Sequence, residues 1–126
     1  MADMQSALVA RLSTATGGKG FWSVIPQDTQ LPYVRFQTIS DDRPQDLDGY
    51  EVARETRVQV DCFAKTYKAA RQMAEAIIAA TTEPAIVAGI VFGRIKAEGP
   101  RDLGEDTATG FVHRASLDLL VWHRQA

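Results

Sequence analysis

The sequence predicts an α+β domain: a mainly antiparallel sheet with two helices packed on one face, in the order α-β-β-β-α-β-β. Two segments carry apolar residues at helical spacing, and five short runs have strand character. Three of those runs follow one another without an intervening helix, which favours antiparallel pairing over parallel crossovers. The chain has 126 residues, the size of one domain, and shows neither repeat nor linker, so residues 1–126 form a single unit.

Residues 3–15 read as the first helix. Met4, Leu8 and Leu12 recur every four residues, Ala7 and Ala15 widen the stripe, and Asp3 is placed to cap the first turn. Gly17, Gly18 and Gly20 end it. A short strand at 21–25 stops at Pro26, which has no N–H for a ladder. A second strand, 33–39, sets Val34, Phe36 and Thr38 against Tyr33, Arg35, Gln37 and Ile39. Residues 40–51 are the most polar stretch and read as a long loop. The third strand, 54–63, alternates Val58, Val60 and Cys62 with Arg57, Gln59 and Asp61.

Residues 66–80 form the second helix, with Ala70, Met73, Ala74, Ile77 and Ile78 on one face and Lys68, Arg71 and Glu75 outside it. Pro84 keeps it from running on. A strand at 90–97, a second polar loop at 98–107 with Gly99, Pro100 and Gly104, and a long strand at 111–123 complete the order. In the last strand Ala115, Leu117, Leu119 and Val121 share one parity, while Leu120 and Trp122 make the other face apolar near its end.

Composition narrows the function. Hydrophobic residues make up 45%, too many for a disordered chain. With 14 basic against 16 acidic side chains, the net charge of -2 argues against a strongly basic nucleic-acid clamp. One cysteine, Cys62, excludes an internal disulfide and a multi-cysteine zinc site, and its apolar strand parity predicts a buried, inert thiol. No Lys or Arg precedes Arg11, unlike a signal peptide, and the longest apolar stretch, 84–92, is far short of the ~20 residues of a spanning helix. A cytoplasmic product without membrane contact is the expectation.

No catalytic constellation emerges, so no enzymatic activity, metal or cofactor is expected. His113 and His123 share one strand and would lie ~30 Å apart at about 3.3 Å per residue, too far to ligate one metal. The run Thr16-Gly17-Gly18-Lys19-Gly20 lacks the Ser or Thr and the following helix of a phosphate loop. Asp41, Asp42, Asp46 and Asp48 cluster in the first polar loop, but without the closing glutamate of a calcium-binding loop. They are candidate partner contacts.

The basic residues stand out by position. Arg35, Arg54, Arg57, Arg94, Lys96 and Arg114 all fall on predicted strands. A sheet face bearing arginines can meet phosphates, or it can meet acidic loops on a neighbouring copy. Asp41, Asp42, Asp46 and Asp48 with Arg54, Arg57, Arg94 and Arg114 are therefore the candidate partner or intersubunit residues.

The segments Ile25-Pro26-Gln27, Leu31-Pro32-Tyr33-Val34, Val58-Gln59-Val60-Asp61-Cys62-Phe63 and Ala69-Ala70-Arg71, in this order and separated by a polar loop, resemble the tail-completion or tail-terminator proteins of long-tailed phages and prophages. The resemblance implies a structural virion protein at the tail end near the neck, assembled in the host cytoplasm. Such proteins form a six-membered ring that caps the tail tube, ends tail elongation and offers a surface for joining the head connector. Implied partners are further copies of the chain, the tail tube protein and the connector, with DNA passing through the lumen without base specificity. A head-side connector or adaptor protein of the neck, or a non-viral oligomeric interaction domain, would fit the same residues.

Overall fold

The computed structural model describes residues 3–42, 45–46, 49–50, 53–108 and 110–126. Helix α1 (Met4–Arg11) starts at Asp3, whose carboxylate accepts the Ser6 N–H at 2.7 Å. It is shorter than the predicted 3–15. After Leu12 the weak helix formers Ser13 and Thr14 give way to tight turns, and Gly17 and Gly18 take φ of 62° and 75°. Strand β1 (Gly20–Trp22) ends before the predicted Ile25, because Ser23 adopts a φ of 64° and turns the chain away.

Strand β2 (Tyr33–Asp42) outruns its predicted end at Ile39 and pairs antiparallel with β5 (Arg54–Ala64). Between them β3 (Gln45–Asp46) pairs with β4 (Gly49–Tyr50). The predicted loop 40–51 thus begins as strand and contains a small two-stranded ribbon. Helix α2 (Tyr67–Ala80) matches its prediction to within a residue, since Thr66 Oγ1 caps it by accepting the Ala69 N–H at 3.1 Å.

Strand β6 (Ala85–Val87) was hidden in the sequence by its brevity. It returns at once into β7 (Ile90–Thr107) through Ala88 and Gly89, whose φ values of 50° and 82° suit a two-residue hairpin turn. β7 pairs with β8 (Gly110–Gln125) to its very end, so residues 98–107 are strand and not the predicted loop. Their acidic, glycine-bearing sequence lacks period two because this stretch is solvent-exposed on both faces.

The six-stranded sheet has the order β1-β2-β5-β8-β7-β6, all antiparallel except the β1–β2 pair. Register defines its two faces, because directly opposed residues point the same way. Val34, Cys62 and Ala115 form one row, and Phe36, Val60 and Leu117 the next. These residues join Met4, Ala7, Leu8 and Leu12 of the α1 segment and Ala70, Ala74 and Ile77 of α2 in one buried cluster. Helix α1 touches both outermost strands, β1 and β6, so the sheet curls around it. Arg11 seals this side: its guanidinium donates to the carbonyls of Ala80 and Glu83 beyond the end of α2 and lies over the Phe92 ring.

Candidate functional site

The rows of the opposite face are polar. Arg35, Asp61, Ser116 and Arg101 form one row, and Gln37, Gln59, Asp118 and Glu98 the next. Among the described residues no helix lies over this face. Its charges are joined within the chain. Arg35 donates to Asp61 at 3.2 Å, Arg114 stands 3.9 Å from the same carboxylate, and Gln59 donates to it at 3.0 Å. Asp61 is thereby fully buried on a face open to water, while both arginines stay about one-third exposed. Phe63 lies between the same two guanidinium groups, 5.7 and 5.9 Å from its ring centre.

One row further, Arg57 donates to Asp118 at 2.8 Å and to Glu98 at 3.4 Å. Hydrogen bonds to these two carboxylates hold the Arg57 guanidinium above its ordinary value. Arg101 stands 3.9 Å from Asp118, completing a chain of charges across β5, β8 and β7.

Connections at opposite ends of the sheet flank this face. β2 and β5 are joined beyond the Asp42–Glu55 pair, next to the His123 end of β8. β7 and β8 are joined beyond Thr107 and Gly110, past the His113 end. Both stretches read as loops from sequence are therefore hairpin ends, one at each pole. At the first pole Arg54 meets Asp41 at 3.3 Å, and Thr56 Oγ1 donates to Asp41 at 2.9 Å. With its one proton so used, Thr56 accepts from His123 Nε2 at 2.8 Å. Burial, helped by Arg54 and opposed by Asp41, holds the His123 imidazole below its ordinary value. At the second pole Phe111 packs edge-on against His113, with ring centres 4.7 Å apart, and a cleft of about 780 Å³ opens between the hairpin and Leu31, Tyr33 and Lys65.

The eight candidate residues separate accordingly. Arg57 and Arg114 belong to the ion-paired face, and Arg54 and Asp41 bind each other at the first pole. Arg94 is exposed on β7 and makes no ion pair among the described residues. Asp42 ends β2 and Asp46 lies in β3, with only their backbone described; Asp48 lies outside the described residues. The acids that hold Arg35, Arg57, Arg101 and Arg114 are Asp61, Glu98 and Asp118, which the sequence does not single out. Their signal is a carboxylate between apolar neighbours on a strand, as in Val60-Asp61-Cys62 and Leu117-Asp118-Leu119. Cys62 is buried as expected, and burial next to Asp61 pushes its thiol up to about 12.

No curated protein sequence matches the chain. Among solved structures, a chain from the virion of a native gene transfer agent particle superposes with a TM-score of 0.60 at 15% identity, covering 97% of this chain and 93% of that one. That likeness shows a shared fold. A second solved chain, 18% identical, gives a TM-score of 0.49 over 94% of this chain and 92% of that one. The family model described as tail completion protein gp17 matches residues 3–124, nearly the whole length. The chain belongs to this tail completion family, and is a structural protein of phage-type tails.

Proposed function

We propose that the protein assembles into a six-membered ring that caps the tail tube, ends its elongation and presents the surface on which the head connector joins. The observation that carries this reading is the placement of two hairpin ends at opposite poles of one sheet. A cap needs two unlike ends, one for the tube and one for the connector, and a subunit built this way has both. Closure into a ring needs heterologous contact, in which one surface of a subunit meets a different surface of the next. The ion-paired face supports a further step of the reading. With its arginines turned toward a lumen, it would meet DNA phosphates without reading bases. The virion position, near the neck at the tail end, and assembly in the host cytoplasm follow from the same reading.

The test is direct. Native mass spectrometry of the purified chain, alone and with tail tubes, is expected to show six copies. Adding the protein to polymerising tube protein is expected to fix tube length and leave a terminal cap in electron micrographs. Tubes that keep growing uncapped in its presence would overturn the proposal, and binding to the connector alone would favour a head-side adaptor.

A further inference from the structure

We infer that neighbouring copies join edge to edge, the free margin of β2 at residues 37–42 adding to the free margin of β7 at residues 93–98 of the next copy. The inference rests on the ring reading and names the surface that closes it.

Each outer side of the sheet is only partly covered. β1 pairs with β2 over Val34–Phe36, and after Trp22 the positive φ of Ser23 turns the chain off. Beyond Phe36, β2 has no strand partner on that side among the described residues, and Gln37, Thr38, Ile39 and Ser40 are all exposed. On the far side, β6 pairs with β7 only over Ile90–Phe92. Beyond Phe92, β7 likewise lacks an outer strand among the described residues. Free margins of this length leave backbone N–H and C=O groups ready to pair with another strand.

The two margins match in level, direction and charge. Across the sheet Gln37 is in row with Gln59, Asp118 and Glu98, Thr38 with Val58, Leu119 and Ala97, and Ser40 with Arg57, Leu120 and Lys96. The free part of β2 thus lies at the height of residues 93–98 of β7. Because β2, β5, β8 and β7 alternate in direction, a second copy rotated about an axis along the strands sets its β2 antiparallel to β7 of the first, continuing the alternation. Level for level, Ser40, Asp41 and Asp42 of one copy then stand beside Lys96, Ile95 and Arg94 of the other. Arg94 and Lys96 are exposed and make no ion pair among the described residues, whereas Arg35, Arg57, Arg101 and Arg114 each hold a carboxylate. Asp41, in row with buried Ile95, holds Arg54 and Thr56 within its own chain, so the charge match is that of the Asp42 register position with Arg94. Register shifts at Phe92/Ile95 and Glu98/Arg101 bound the β7 margin, and there the strand can bend around β6 of its own copy and β1 of the next.

Cross-linking reads this contact. Chains carrying Ser40→Cys together with Arg94→Cys, Lys96→Cys or Glu98→Cys, in three separate double variants, are oxidised under native conditions and run without reductant. Buried Cys62 stays out of the reaction. At least one double variant is expected to give a covalent ladder ending at the closed ring, and none of the single variants is. Reversing charge with Arg94→Glu and Lys96→Glu is expected to cut the assembled fraction about tenfold at equal concentration and low salt. A six-copy assembly by native mass with no ladder from any double variant overturns the edge contact and leaves the ring standing. A chain that neither ladders nor assembles with tubes overturns both. A dimer from Ser40→Cys alone marks like-with-like contact, and also overturns the inference.

Discussion

On β5 and β8, alternate residues of the same strands enter two different environments. Val58, Val60, Leu117 and Leu119 point into a dry cluster sealed by two helices. Gln59, Asp61, Ser116 and Asp118 point to a face that no described helix covers, where carboxylates and guanidinium groups neutralise one another. The covered face takes its stability from apolar area and close packing. On the uncovered face, apart from Tyr33 and Phe63 at one end and Leu120 and Trp122 at the other, the central rows are polar, and their ion pairs keep strongly charged strands compatible with one another. A subunit with an ordered but uncovered face is suited to water, DNA or another protein.

The largest expected effect breaks the covered face. Phe36 is fully buried beneath the helices, stacked 5.7 Å from Trp22. Phe36→Ala removes that contact and leaves a cavity, at a cost of about 3–5 kcal/mol. Urea unfolding followed by circular dichroism should show the midpoint falling accordingly. A loss below about 1 kcal/mol would mean that the helices do not seal this face.

The second effect breaks the uncovered face. Asp61→Ala leaves Arg35 and Arg114 without their shared carboxylate. Because both arginines are about one-third exposed, water takes up part of the loss, and about 1–3 kcal/mol is expected in place of the cost of a fully buried pair. A double-mutant cycle with Arg35→Met isolates the coupling. A vanishing coupling energy would reduce the network to a set of independent surface charges.

How legible this comparison was in the sequence differs between the faces. Period two in Val58, Val60 and Cys62, and helical spacing in Ala70, Ala74 and Ile77, exposed the covered face at once, because apolar residues mark their own side of a strand. Polar residues carry no such mark. That Arg35 would meet Asp61, and Arg57 Asp118, depends on the register of β2, β5 and β8, which links positions 26 and 61 residues apart. The sequence therefore offers the acidic run near Asp41 as the arginines' counterpart, whereas Arg35, Arg57 and Arg114 hold Asp61, Glu98 and Asp118, and Arg54 pairs with Asp41. The second hairpin end reads as a loop for a related reason: residues 101–107 are exposed on both sides and leave no apolar side to betray their strand.

A smaller effect lies at the first pole, where the faces meet. His123 is buried against Thr56, and burial lowers its imidazole relative to the unfolded chain. The unfolded state then binds a proton at higher pH than the folded state does, so the neutral ring contributes stability near pH 7 that is lost as pH falls through its ordinary range near 6.5. Unfolding free energy should decline between about pH 7 and pH 5, and His123→Gln, which keeps a donor for Thr56, should flatten that part of the curve. An unchanged slope would place the acid sensitivity elsewhere.

The smallest effect sharpens the comparison by holding the chemistry constant. Arg71 on α2 stands 3.7 Å from Glu75 and 3.5 Å from Asp102, so it has two carboxylates in reach, as Arg57 does. Both of its partners are more than half exposed, whereas Asp118 is 16% exposed and Asp61 fully buried. Water screens the Arg71 pairs and the long side chains lose freedom in making them, so Arg71→Ala should cost less than about 0.5 kcal/mol, and less still at high salt. If Arg71→Ala instead matches Asp61→Ala, then burial of the carboxylate is not what distinguishes the uncovered sheet face from any other charged surface of the protein. If the two differ as expected, the network on β5 and β8 is the feature that keeps this face ordered in the absence of a partner.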